Sequence, residues 1–165
     1  MPEKNADRIV VLGVGNILLK DEGVGVRVIE RLGERYLFPP EVELVDGGVL
    51  GPGLFSVIEG ASRLIIIDAI LNNQEPGTIY RFADKEIPER VYHKISLHDV
   101  DLIETLTLAK TVGKKTPEKI VLGIEPLDFG SWGMELTPVI GAKVDELVDL
   151  VLAELRRLGV TYQSR

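Results

Sequence analysis

Three residues of this chain, Glu22, Asp68 and His98, carry side chains that together suit a divalent metal ion. Two carboxylates and one imidazole fit a borderline ion such as Zn²⁺, Ni²⁺ or Co²⁺, and they leave coordination positions open for water or substrate. The three residues lie far apart in the sequence, so only the fold can bring them together. A metal-dependent site is therefore expected if the elements that carry them meet at one edge of a sheet.

Each of these residues also has an ordinary structural explanation. Asp68 interrupts the most apolar stretch of the chain, where an unpaired charge would be costly, yet it would equally well cap the following loop. Glu22 could be a first-turn acid stabilised by a helix dipole, and His98 a surface residue beside a helix cap. The other histidine, His93, lies in a predicted loop and ranks below His98 as a ligand.

The segment that delivers Glu22 is a strand followed by a tight turn. An apolar strand over 9–12 leads into a turn whose small residues permit close backbone approach: Gly13, Gly15 and Asn16. Asp21 is the expected N-cap of a helix over about 22–36, where apolar residues recur at helical spacing. Glu22 would then lie near the carboxyl end of a buried strand, where ligands bind in open α/β sheets.

Four further strands are predicted, at 41–45, 63–67, 77–82 and 119–124. The third predicted strand, 63–67, is apolar without alternation, as expected for a central strand covered on both faces, and Asp68 ends it. The fourth has too little chain before it for a parallel crossover, which favours an antiparallel direction. The sequence Asp46-Gly47-Gly48 ends the second strand and is more typical of a turn than of a catalytic group.

Helices are predicted between the strands, at about 52–59 and from Ser96 to about 110, and a last helix begins at Pro138. Ser96 as N-cap, with Asp99 three residues later, resembles a capping box. An irregular loop over 127–136 carries the only tryptophan, Trp132. This loop could contact a partner, but the expected role of Trp132 is packing in the core or within the loop.

Alternation of strands and helices predicts an α/β fold, a three-layer α/β/α sandwich with a largely parallel sheet. Right-handed crossovers would bring the ends of the first, second, third and fifth strands to one edge. The 165 residues are expected to form one domain, 1–165, with a frayed tail over about 161–165.

Composition and motifs exclude several classes of protein. The chain has 26 acidic and 19 basic residues and a net charge of −7, so neither nucleic acid nor an anionic membrane is an expected partner. It has no cysteine for disulfides or thiolate chemistry. No apolar run could span a bilayer and the N-terminal stretch is polar, which favours a cytoplasmic location. Gly13 and Gly15 begin a dinucleotide-binding pattern, but Leu18 stands where that pattern requires its third glycine. The Walker, His-Glu-x-x-His and Gly-x-Ser-x-Gly motifs are missing.

The chain resembles the NiFe-hydrogenase maturation endopeptidases over nearly its whole length. The glycine-asparagine turn followed by Asp-Glu-Gly is the most specific part of this resemblance. The stretches that carry it are VLGVGNILLKDEGVGVRVIERL, VELVDGGVLGPGL, LIIIDAI, SLHDVDL, VLGIEP and WGMELTPVI.

The resemblance implies a phosphorylase/hydrolase-like fold with a five-stranded mixed sheet in the order 2-1-3-5-4, strand 4 being antiparallel. It also implies that Glu22, Asp68 and His98 are the family's metal-binding trio, with the turn at Asp46 and Gly47 present as well. The implied activity is removal of a C-terminal extension from the hydrogenase large-subunit precursor after nickel insertion. The nickel is expected to arrive with the precursor, although another divalent metal could occupy the site in vitro.

In the mechanism that this resemblance suggests, the trio engages nickel and so fixes the scissile bond beside it. A metal-polarised carbonyl or metal-activated water then allows hydrolysis. Asp99 could orient His98, although its capping role explains it equally well. Whether one of the trio is a general base stays open, and a monomer is the expected state.

Two alternatives remain at this point. The same fold hosts nucleoside phosphorylases and unrelated peptidases, which would need phosphate-binding or other groups at the sheet edge. A non-catalytic nickel-binding chaperone of hydrogenase assembly could use the same trio without cleaving anything.

Overall fold

The computed structural model describes residues 8–48, 54–88, 113 and 117–165. His93, His98, Asp99 and the helix predicted from Ser96 to about 110 lie outside these residues. The described elements, in chain order, are β1 (Ile9–Val14), a 3-10 helix (Lys20–Gly23), α1 (Val24–Arg35), β2 (Tyr36–Leu37), β3 (Val42–Gly48), α2 (Leu54–Ile58), β4 (Arg63–Ala69), β5 (Ile79–Ala83), a second 3-10 helix (Asp84–Glu86), β6 (Glu118–Ile124), α3 (Pro138–Gly141), α4 (Val144–Arg157) and β7 (Gln163–Ser164).

Five strands form one mixed sheet in the order β3-β1-β4-β6-β5. Strands β1, β3, β4 and β6 run parallel, whereas β5 pairs with β6 in the antiparallel direction. Since β1, β3, β4, β5 and β6 correspond to the five predicted strands, the order 2-1-3-5-4 and the antiparallel fourth strand are confirmed.

Apolar side chains cover both faces of this sheet. On one face, alternate residues of β1 and β4, such as Val11 and Ile65, join the buried stripes of α1 and α4 in one core cluster. On the other face, Val10 and Ile66 join Ile58 of α2 in a second cluster. The sheet therefore lies between helical layers, as the sequence predicted, and none of the described helices is both long and apolar enough to cross a membrane.

The register of the central strands aligns their carboxyl ends. Gly13 at the end of β1 pairs with Asp46 of β3 and with Ile67 of β4. The turns that follow these three strands consequently start at the same edge of the sheet, where Glu22 and Asp68 were predicted to meet.

Two predictions about the C-terminal part are wrong. The tail predicted to fray over 161–165 instead forms β7, which pairs with β2, and the amide of Arg165 donates to the carbonyl of Arg35 at 2.9 Å. Tyr162 explains this order, because its ring packs edge-on against Tyr36 with centroids 5.4 Å apart. The single helix predicted from Pro138 is divided into α3 and α4.

Helix α1 begins in close contact with the sheet, and glycine is what permits that contact. A Cβ atom on Gly25 would clash with the carbonyl oxygen of Ile67 and would lie 2.6 Å from that of Val14. At Gly33, in the same helix, the nearest atom to such a Cβ would be 3.8 Å away. Only the first of these glycines is therefore required by packing.

We expect the substitution Gly25→Ala to destabilise the fold by roughly 1–3 kcal/mol, because the helix must move off the sheet to admit the methyl group. Gly33→Ala is the matched control and should stabilise by about 0.5–1 kcal/mol, the usual gain for alanine inside a helix. Urea unfolding of both variants measures the difference, and equal stabilities would contradict this account of the packing.

Candidate functional site

Glu22 lies in the 3-10 helix that precedes α1 and is 5% exposed. The preceding turn is closed by Asn16, whose side-chain oxygen accepts the amide of Leu18 at 2.9 Å and whose carbonyl accepts that of Leu19 at 3.1 Å. The amide of Glu22 in turn donates to the carbonyl of Leu19 at 3.2 Å. Asn16 thus shapes the turn that buries the Glu22 side chain at the sheet edge.

Asp68 is fully buried in β4, one residue before the strand ends. Its Oδ1 atom accepts the amide of Ala69 at 2.8 Å, which is the capping interaction considered for it from the sequence. A carboxylate buried in the most apolar strand is costly, because the charge loses its hydration. A buried acidic residue at the end of a central strand is therefore a candidate for a functional role as well as a cap.

Gly15 lies next to both of these acidic residues. Its φ of +125° belongs to a backbone region that side chains disfavour. A Cβ atom on Gly15 would clash with the carbonyl oxygen of Glu22 and would lie 3.8 Å from Oδ1 of Asp68. The main chain of Glu22 and the carboxylate of Asp68 therefore both lie against Gly15, and the two predicted ligands come from the same small region.

The third predicted ligand, His98, lies outside the described residues, as do its predicted neighbour Asp99 and the alternative His93. Within the described ranges, no group of three or more histidine, cysteine, aspartate or glutamate residues is placed to hold a metal ion. The full trio stays a prediction, and Glu22 and Asp68 are the two members whose positions are described.

The role predicted for Asp21 is wrong. Neither the 3-10 helix nor α1 has a side-chain cap, and their N-cap positions are Leu19 and Gly23. The carboxylate of Asp21 is fully buried and accepts four hydrogen bonds from a distant loop: from the amides of Leu127 at 3.0 Å, Asp128 at 2.9 Å and Thr137 at 2.8 Å, and from the Thr137 hydroxyl at 2.7 Å.

These bonds join the turn that carries Glu22 to the loop over 127–137. Three further backbone bonds support the same junction: Lys20 donates to Gly133 at 2.8 Å, Gly133 to Leu18 at 2.8 Å, and Asp21 to Asp128 at 3.0 Å. Sequence reasoning could not find this function of Asp21, because its partners are more than a hundred positions away.

Asp46, Gly47 and Gly13 have structural roles at the same edge. The turn predicted at Asp46 is instead the last part of β3, where the register with β1 shifts. Asp46 is exposed there, and its Oδ1 atom accepts the amide of Gly48 at 3.0 Å. A Cβ atom on Gly47 would lie 2.6 Å from a methyl group of Leu12, and one on Gly13 would clash with the Gly25 carbonyl. These residues allow the backbones to pack closely.

An open pocket of 460 Å³ lies beside the Gly-Asn turn. Among the described residues the lining is mostly apolar and includes one carboxylate, that of Asp46: Gly15, Asn16, Ile17, Leu18, Val26, Asp46 and Gly48. The pocket shares Gly15 with the Glu22–Asp68 region. It is large enough to hold one or two side chains of a polypeptide.

Glu125 is a second buried carboxylate that sequence reasoning missed. It follows β6 and accepts the amides of Asn72 at 2.9 Å and Gln74 at 2.7 Å and the hydroxyl of Tyr80 at 3.0 Å. Its acceptors are therefore engaged in holding the connection between β4 and β5. We assign Glu125 a structural role. Its position directly after a buried strand was the only sequence signal.

Comparisons with known proteins agree on one family. The model of the hydrogenase maturation protease family, HycI, matches residues 26–154. The chain is 39% identical over 167 residues to the hydrogenase expression/formation protein HupD of Bradyrhizobium diazoefficiens, covering 100% of this chain and 87% of that one. It is 39% identical over 154 residues to the hydrogenase 2 maturation protease of Escherichia coli, covering 93% of each.

Solved structures give the same result. The hydrogenase maturating endopeptidase HybD of Escherichia coli superposes with a TM-score of 0.88 at 38% identity, covering 96% of this chain and 98% of that one. The maturation protease HybD of Thermococcus kodakarensis superposes with a TM-score of 0.68 at 26% identity, covering 88% and 97% of the two chains.

The junction at Asp21 leads to a prediction about stability. Asp21→Asn replaces one of the two acceptor oxygens by an NH2 group, which leaves at least one of the four buried donors without its acceptor, so we expect a loss of roughly 1.5–3 kcal/mol in the free energy of unfolding. The matched control is Asp149→Asn on the exposed side of α4, which should change stability by less than about 0.5 kcal/mol. Denaturant unfolding gives both values.

Hydrogen exchange tests the location of the effect. In Asp21→Asn the amides of Leu127, Asp128 and Thr137 should exchange faster than in the unmodified protein, because their acceptor is weakened. Unchanged exchange at these amides would mean that Asp21 does not hold the loop.

Proposed function

This chain belongs to the family of hydrogenase maturation proteases, and we propose that it removes a C-terminal extension from a hydrogenase large-subunit precursor that already holds nickel. It is an endopeptidase of hydrogenase maturation. The observation that most supports recognition of nickel is the placement of two buried acidic residues, Glu22 and Asp68, against the same glycine turn.

The proposed ligand set matches the chemistry of nickel. Carboxylate oxygens of Glu22 and Asp68, together with an imidazole from His98, would provide donors that a borderline divalent ion accepts. A buried carboxylate gains most from a cation, because little water competes with the interaction. In this proposal nickel is part of the substrate, so an unprocessed precursor without nickel would not engage the site.

The proposed reaction is hydrolysis of one peptide bond by one water molecule, giving a new carboxylate on the large subunit and a free amine on the released peptide. Binding the precursor through its nickel would hold the scissile bond close to the site. Holding it there removes much of the entropic barrier of a bimolecular reaction. The nickel would supply polarisation of the carbonyl or activation of the water. We propose that the protein acts as a monomer.

A phosphate-binding site is disfavoured by the backbone of the turn. The amides of residues 18–22 already have acceptors, namely the side chain and carbonyl of Asn16 and the carbonyls of Gly133, Asp128 and Leu19. An anion at this edge would therefore find none of these five amides free and would meet acidic side chains instead. This argues against the phosphorylase alternative.

We expect Glu22→Gln and Asp68→Asn each to slow cleavage of the nickel-loaded precursor by at least about 100-fold, because a neutral amide binds the metal weakly and misplaces the scissile bond. The assay follows the intact mass of the precursor over time. Glu34→Gln, an exposed glutamate in α1, is the matched control and should cleave at the unmodified rate.

The outcome also separates the peptidase from a nickel-binding chaperone. Release of a C-terminal peptide from the nickel-loaded precursor, but not from the precursor without nickel, would support the proposal. If both proteins bind and nickel is confirmed but the mass never changes, the chaperone function replaces it. Normal cleavage by Asp68→Asn would show that the buried carboxylates do not carry recognition of the metal.

A further inference from the structure

The loop over 127–136 exposes large apolar side chains beside the candidate site. Trp132 is 78% exposed, which contradicts the packing role expected for it. We call the set of exposed apolar side chains on this loop and on the adjoining turn the apolar loop surface: Leu18, Leu127, Phe129, Trp132 and Met134. Exposed apolar residues that are scattered singly are ordinary, but several on one short segment indicate a contact surface.

The backbone of this loop is fixed although its apolar side chains are exposed. Asp21 binds both ends of the loop, because it accepts the amides of Leu127 and Asp128 at the start and that of Thr137 directly after the end. Near that second end, Arg27 also donates to the carbonyl of Met134 at 2.8 Å. In the middle, the amides of Ser131 at 3.0 Å and Gly130 at 3.2 Å donate to Oδ1 of Asp128. Those bonds, chiefly that from Ser131, lower the pKa of Asp128.

A fixed backbone reduces the entropy lost when such a loop binds a partner. The surface is thus preorganised, and its exposed side chains are of the types most enriched in protein–protein interfaces, tryptophan, phenylalanine and methionine.

The apolar loop surface is continuous with the site. Leu18 belongs to the surface and also lines the 460 Å³ pocket beside Gly15. Gly15 in turn contacts Glu22 and Asp68. A polypeptide whose nickel reached these carboxylates would therefore extend over the pocket and the loop.

We propose that the apolar loop surface docks the folded body of the large-subunit precursor next to its C-terminal extension. This inference rests on the proposed function, since it names the surface through which the same substrate is recognised. The partner chemistry is an apolar protein surface, contacted chiefly by Trp132. Metal recognition at the carboxylates and protein recognition at the loop then act on one substrate through two separate sets of residues.

The test is the substitution Trp132→Ser, which alters an exposed side chain and leaves the loop's backbone bonds in place. KM for the nickel-loaded precursor should rise by about tenfold or more, as for a central interface tryptophan, with kcat at saturating precursor unchanged. Leu37→Ser is the matched control. Leu37 is exposed on β2, beyond the C-terminal end of α1, whereas the site adjoins its N-terminal end, so KM should not change.

The single tryptophan permits a direct second measurement. With 5-fluorotryptophan incorporated, the protein gives one ¹⁹F signal, which should shift and broaden on addition of the precursor. An unchanged signal together with an unchanged KM overturns the docking surface even when the unmodified protein cleaves normally. A shifted signal without any cleavage supports the surface and instead rejects the proposed endopeptidase function.

Self-association is the competing use of such a surface. If sedimentation shows that the unmodified protein is a dimer that Trp132→Ser converts to a monomer, while KM stays the same, the surface joins two copies of this chain and the proposal is overturned.

Discussion

The buried carboxylate of Asp21 joins two parts of the chain that are at least 106 residues apart, and the geometry of the site depends on this connection. A fully buried charge is stable only when hydrogen bonds replace its lost hydration, and Asp21 receives four from the loop over 127–137. Its neighbour Glu22 is thereby held on a turn that is fixed from both sides. Asp21 is thus a positioning residue.

Glycine supplies the other condition for this arrangement. Gly25 lets α1 start against the carbonyls of β1 and β4, and Gly15 lets the turn pass between Glu22 and Asp68. Together these contacts bring two acidic residues into an apolar region where charges are costly, which is an arrangement typical of functional sites rather than of stable cores. The amides of residues 18–22 have acceptors within the protein, which supports the proposal that the region takes a cation rather than an anion. The same junction fixes the loop that exposes Trp132.

The sequence predicted the strands well, because long apolar runs such as 63–67 identify buried strands without help from distant residues. It also singled out Asp68, since a charge stands out in such a run. The sheet order came from the family resemblance, which carried information that hydrophobic patterns lack. Asp21 was misassigned because a helix cap is a local explanation, whereas its actual partners lie in a remote loop. The β2–β7 pair and the exposure of Trp132 likewise depend on tertiary contacts that no local pattern encodes.

The most direct test of the central claim, that the buried carboxylates recognise nickel in the precursor, is nickel K-edge X-ray absorption. Spectra would be compared for the nickel-loaded precursor alone and for its complex with this chain, frozen before cleavage. The account predicts added oxygen and nitrogen scatterers around nickel in the complex, with fewer added oxygens when Asp68→Asn is used. A nickel spectrum that stays unchanged in a complex of confirmed stoichiometry would contradict it.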